Sequence, residues 1–94
     1  MPIGILTLTI EIPGCLSLKE KRGRIKPLLT RLHREFNIST AEMGAQDHWS
    51  RAIVSCAMVN SDLATIQRSL QVIPGWIEQY WPDIQVSDEK LEII

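Results

Sequence analysis

Apolar and polar residues alternate from Ile3 to Ile12. Leu6, Leu8, Ile10 and Ile12 fall on one side, and Ile5, Thr7, Thr9 and Glu11 on the other. A period of two predicts a strand with one covered face and one more polar face. Pro13-Gly14 ends it. The period then changes. Leu18, Ile25, Leu28, Leu29, Leu32 and Phe36 recur at helical spacing, and Ser17 with Glu20 three residues later makes a capping box at the start. Pro27 falls inside this helix. Its ring bears on the carbonyl of Gly23, so the pair predicts a tolerated kink and not a break. Asn37 closes the helix. Ile38 to Met43 reads as a short edge strand. Arg51 to Val59 is apolar or small on both faces, as a central strand should be. Asn60-Ser61-Asp62 caps a second helix that carries Leu63, Ile66, Leu70, Ile73 and Ile77. Pro74-Gly75 interrupts it, so its last turns are expected as a separate, tilted piece. Trp81-Pro82-Asp83 ends the region. Ile84, Val86, Leu91 and Ile93 make a last strand whose apolar phase slips by one residue across Ser87–Lys90, the signature of a bulge or twist.

The order is β-α-β-β-α-β. The expected solution is an α+β fold, the ferredoxin-like split βαβ: a four-stranded antiparallel sheet in order 4-1-3-2 with both helices on one face. Ninety-four residues suit one such domain, spanning 1–94. This strand order brings three segments to one edge. They are the start of the first helix (Cys15 to Arg22), the Gln46–Trp49 hairpin tip, and the aromatic cluster Trp76, Tyr80 and Trp81.

Charge adds a polarity to this picture. Residues 17–36 hold seven basic residues (Lys19, Lys21, Arg22, Arg24, Lys26, Arg31, Arg34) against two acidic, a net of +5, although the whole chain is at −1. Residues 61–94 hold Arg68 and Lys90 against Asp62, Glu78, Asp83, Asp88, Glu89 and Glu92, a net of −4. A basic face of this kind steers anionic partners, and it is also what a merely solvated helix face looks like. No apolar run approaches the ~18 residues of a membrane span, and no basic leader precedes the first strand, so a cytoplasmic protein with no membrane partner is expected.

The chemistry concentrates at the shared edge. On the first helix, Lys21 and Arg22 flank the apolar stripe, whereas Lys19, Arg24, Lys26 and Arg34 point outward. Cations beside a helix N-terminus make an anion site, or else cover the core with their stems and send their charges to water. Glu42 and Arg51 flank the hairpin and are expected to pair across it. Asp47 suits a side-chain cap on the turn. Asp47 and His48 are adjacent on a tip and poorly placed to act on one target, so no catalytic residue is assigned. Trp49 is read as a lid on the core in preference to a stacking surface, and His33 as a helix-surface histidine. Cys56 is read as a core residue, and Cys15 precedes a helix N-terminus, where a thiol pKa can fall. No CxxC or Cys/His ligand spacing is present, so no metal site, disulfide or cofactor is expected.

Pro-Gly-Cys-Leu-Ser-Leu-Lys-Glu-Lys-Arg at 13–22 and Ala-Glu-Met-Gly-Ala-Gln-Asp-His-Trp-Ser-Arg-Ala at 41–52 resemble the YlxP-like family of small bacterial proteins across essentially the whole chain. The family pattern is matched at Ser17, Leu18, Lys19, Glu20, Lys21, Arg22, Glu42, Gly44, Gln46, Asp47, Trp49 and Arg51, while Pro27 and Pro74-Gly75 depart from its uninterrupted helices. The resemblance implies a single ferredoxin-like domain with no established activity. Family genes lie among those for translation initiation and ribosome maturation, which implies a role near the ribosome or RNA. The first reading is therefore a non-enzymatic binding protein. It would use an edge surface of Lys19, Lys21, Arg22, Gln46, Asp47, His48, Trp49 and Arg51, with Arg24, Lys26 and Arg34 meeting nucleic acid. Two alternatives stay open. One is a homodimer built through the open sheet face (Ile5, Thr7, Thr9, Ile53, Ser55, Ala57, Val59). The other is a small hydrolase of acylphosphatase type, which rests on fold analogy alone.

Overall fold

Ser17 starts the first helix as its capping-box pattern predicts: its backbone is extended and its Oγ accepts a hydrogen bond from the Glu20 N–H at 3.0 Å. The computed structural model describes residues 2–94. Its elements are β1 (Ile3–Glu11), α1 (Leu18–Phe36), β2 (Ser39–Gly44), β3 (Arg51–Val59), α2 (Leu63–Gln71), α3 (Ile73–Tyr80) and β4 (Gln85–Ile93). Helix α1 runs through Pro27 unbroken. Asn37 ends it in the left-handed region, at φ 53°, a conformation its short polar side chain tolerates.

The strands form one antiparallel sheet in the order β2-β3-β1-β4. Register follows the apolar alternation. Leu6 lies opposite Cys56 and Leu8 opposite Val54, and these side chains are buried under the helices. Leu28 and Leu32 of α1, Ile66 and Leu70 of α2, and Ile73 and Ile77 of α3 complete one core with them. The odd positions Ile5, Thr7, Thr9, Ile53, Ser55 and Ala57 lie on the opposite face and are half-buried. Along that face β4 presents Glu92, Lys90 and Asp88, opposite Ile5, Thr7 and Thr9.

The second helical region divides where Pro74-Gly75 predicts an interruption. Helix α2 stops at Gln71, Val72 forms the joint, and Pro74 lies in the first turn of α3, where it lacks only a donor that would be unpaired anyway. One close approach left no mark in the hydrophobic pattern. Gly4 is buried under α2, and a Cβ there would lie 2.8 Å from Leu70 Cδ1 and would also strike Ile66, so glycine lets the helix lie on β1.

Both irregularities of the sheet sit near the same end of the strands, one in each edge strand. In β4 the register slips between Thr9 and Ile10, which leaves Ser87 extruded where the apolar phase slip predicts it. Ser87 Oγ donates to Glu11 Oε2 at 2.8 Å, and Arg51 Nε donates to the same carboxylate at 3.0 Å. The Ser87 hydroxyl first, then the Arg51 guanidinium, hold Glu11 below the usual carboxylate range. In β2 a second slip falls between Glu42 and Gly44 and extrudes Met43.

These registers correct the expected Glu42–Arg51 pair. Glu42 lies opposite Val54, on the helix side of the sheet, whereas Arg51 lies opposite Glu11 on the open side. Strand residues of opposite parity face opposite ways, so the two charges cannot meet across the hairpin. Each has another partner.

Candidate functional site

The Glu42 partner is Lys21, and this lysine reorganises the edge. It projects from the first turns of α1 with its side chain only 1% exposed. Its Nζ donates to the carbonyls of Ala45, at 2.6 Å, and His48, at 2.9 Å. Glu42 Oε2 lies 2.7 Å from Nζ as an ion-pair partner, off hydrogen-bond geometry, and takes no other donor. An ammonium has three protons, and three acceptors surround this one. The lysine therefore ties the β2–β3 hairpin to the helix. The turn itself closes through the His48 N–H to Ala45 O at 2.9 Å, and Ala45 adopts a positive φ of 56°.

This overturns Lys21 as part of an exposed binding surface. It also overturns the picture of a stem covering the core with its charge in water, because the charge itself is buried. A polar cleft of about 260 Å³ opens beside it, lined by Leu18, Lys21, Arg22, Glu42, Gln46 and Asp47. Lys21 is already held there by two carbonyls and the Glu42 carboxylate, which repels an anion. The other edge residues Lys19, Arg22, Gln46, Asp47, His48, Trp49 and Arg51 are exposed. Trp49 is 53% exposed and outside the core, so it is not a lid. No hydrogen bond to the Asp47 carboxylate is found among the described residues, so it does not cap the turn; Gln46 reaches the Glu42 carbonyl only at 3.5 Å.

Cys15 and Cys56 are both buried. Cys15 Sγ donates to the Ser17 carbonyl at 3.4 Å. Burial pushes the Cys56 thiol up, with the Thr40 hydroxyl opposing the shift. His33 Nδ1 lies 2.6 Å from the Ile38 carbonyl and joins the end of α1 to the start of β2. Among the described residues no cluster of His, Cys, Asp and Glu is arranged to hold a metal ion. Among the described residues no helix is long and apolar enough to cross a membrane.

Arg24 is likewise not a free outward cation. Its guanidinium donates to the Pro13 carbonyl at 3.0 Å and to the Asp83 carbonyl at 2.8 Å, and it pairs with the Asp83 and Glu20 carboxylates. It staples the β1–α1 and α3–β4 connections to α1. This brings the Trp81–Asp83 turn to the predicted edge. The rest of the aromatic cluster runs back along the molecule: Trp76 packs edge-on against Phe36 at the far end of α1, 5.4 Å between centroids.

Of the remaining α1 cations, all but Lys19 border a shallow groove of about 650 Å³ along the outer side of the helix. Gly23, Pro27 and Thr30 form its floor, Arg22, Lys26, Arg31 and Arg34 surround it, and Trp81 makes a wall. Arg31 pairs with Glu35 at 3.5 Å and lies 5.7 Å from the Trp76 ring centroid. Among the described residues, Arg22, Lys26 and Arg34 have no acidic partner within 4.0 Å. Lys26 and Arg34 were expected to face outward, and they do. The apolar pattern does not mark Gly23, Arg31 and Trp81 as groove residues. The available signal was a second stripe at 23, 27, 30, 31 and 34, opposite the apolar one.

A family model described as "Protein of unknown function (DUF503)" matches residues 3–90. The "Uncharacterized protein YlxP" of Bacillus subtilis (strain 168) is 39% identical over 69 residues, which cover 73% of this chain and 74% of that protein. The match takes in nearly every element described above, from the first strand to most of the last, and the chain belongs to the DUF503 family of proteins of unknown function.

Proposed function

We propose that this protein binds RNA through the groove on the outer side of α1, on a ferredoxin-like split βαβ framework, and acts without catalysis near the ribosome. One observation carries the reading. Three cations without acidic partners, Arg22, Lys26 and Arg34, are gathered around a single groove on a chain whose net charge is −1. A helix rises 1.5 Å per residue, so they span about 18 Å, enough to meet several phosphates of one strand. The translation-related gene neighbourhood of YlxP-like proteins supports the same partner.

Three phosphate contacts give a log–log salt slope of about −2 to −3, at roughly 0.7–0.9 of a log unit each. Titration of ribosomal RNA fragments across a salt series checks this. Arg22→Ala/Lys26→Ala/Arg34→Ala should weaken binding and bring the slope towards zero. Unchanged affinity and slope in that variant would show that the groove is a solvated face. Arg24→Ala is a poor probe, since Arg24 holds three segments together.

The open sheet face supports a second reading, self-association. Ile5, Ile53 and Ala57 are only half-buried in the single chain, and Asp88, Lys90 and Glu92 alternate in sign beside them. Two copies related by a two-fold axis would cover the apolar centre and set opposite charges against each other. Sedimentation at tens of micromolar is expected to show a dimer, and Ile53→Lys a monomer. A wild-type monomer at that concentration removes this reading.

A further inference from the structure

We infer that the groove selects single-stranded over duplex RNA, with Trp81 as the surface on which a base stacks. The inference rests on the reading of the groove as an RNA site and names the form of RNA it takes. Charge alone does not choose a form, because both strands and duplexes carry phosphates. The groove offers more than charge. Its floor is bare where Gly23 has no side chain and Pro27 only a ring, and the Cβ position of Gly23 has no neighbour within 4 Å. Its wall is an indole that remains partly exposed.

That indole is held in place from behind. Trp76 packs at 6.1 Å and 31° from Trp81, and is itself wedged edge-on against Phe36 at 82°. Arg31 covers another side of Trp76. Trp81 is therefore the member of a braced aromatic cluster that lines the groove, among cations without acidic partners, whereas the more exposed Tyr80 packs on Trp76 away from it. A rigid aromatic face beside a cationic rim is the general arrangement by which proteins bind single strands, since every base has a face to stack and no sequence need be read. A duplex keeps its bases stacked on one another and has none to offer Trp81.

The test uses the whole protein and a labelled oligoribonucleotide of about 12 nucleotides, single-stranded or annealed to its complement. The strand should bind more tightly than the duplex. Trp81→Leu should weaken strand binding by about tenfold and leave duplex binding unchanged. Trp81→Phe keeps a stacking face and should fall between the two, which guards against a Leu variant that folds poorly. Equal affinity for strand and duplex, or strand affinity indifferent to both Trp81 variants, overturns stacking. If Arg22→Ala/Lys26→Ala/Arg34→Ala still abolishes binding in that case, the RNA reading stands without it. If neither RNA form binds the wild type, or the charge variant binds as well as wild type, the RNA reading itself fails.

Discussion

Lys21→Met should lower the stability of this fold by about 3–5 kcal/mol, more than any other single change to its charged residues. The substitution keeps the apolar stem and removes only the ammonium. It leaves the His48 carbonyl without its donor, the Ala45 carbonyl with the His48 N–H alone, and Glu42 Oε2 without a counter-charge, all beside a side chain that is 1% exposed. Removing one member of a buried pair leaves the other uncompensated, and that penalty exceeds the net worth of the pair. For a domain of this length the fall in Tm is on the order of 15–30 °C. Thermal melts followed by circular dichroism check it. A change within about 0.5 kcal/mol is what a solvated surface lysine would give, and it would refute the latch. Adding Glu42→Gln to Lys21→Met should recover part of the loss, because the orphaned charge is then gone. The two changes should be clearly non-additive.

Leu28→Ala should cost about 2–5 kcal/mol, through lost burial and the cavity it leaves against the sheet. Leu28 is fully buried, and it follows the exposed Pro27 of the groove floor. Arg22→Ala/Lys26→Ala/Arg34→Ala, on the other side of the same helix, should melt within about 1 kcal/mol of wild type, since its side chains are exposed and unpaired. The pair of measurements separates the two faces of α1. One face holds the domain together, and the other is available to a partner. A large loss of stability in the charge variant would mean that the groove residues are structural after all.

The element order was legible because each element carries its own period and its own stops. The two-residue alternation of β1, the Ser17 cap, the stripe through Leu28 and Leu32, and the break at Pro74 are local signals, and local physics acts on them directly. The bulge at Ser87 was legible for the same reason, since a slipped register must slip the apolar phase. The site was less legible. Glu42 and Arg51 flank the turn, and an unbroken hairpin puts such residues within reach. The extruded Met43 shifts the register, and Glu42 comes to lie on the helix side of the sheet, facing away from Arg51. No residue type announces that bulge.

From its sequence alone, this chain had its strands, its helices, its apolar faces and the concentration of cations on α1 determined, since composition and spacing carry all four. Only the tertiary structure decided which of those cations are free. Lys21 stands 24 residues before Ala45 and 27 before His48, so its burial depends on where the hairpin comes to rest against the helix. Arg24 is taken up by a carbonyl 59 residues away, and Trp81 reaches the groove only because Trp76 of α3 comes to rest against Phe36 and Arg31 of α1. Charges that look alike in sequence become a latch, a staple or an open binding face according to what long-range packing sets beside them. A low-dielectric neighbourhood with waiting carbonyls holds one ammonium fast, and water leaves the next one free.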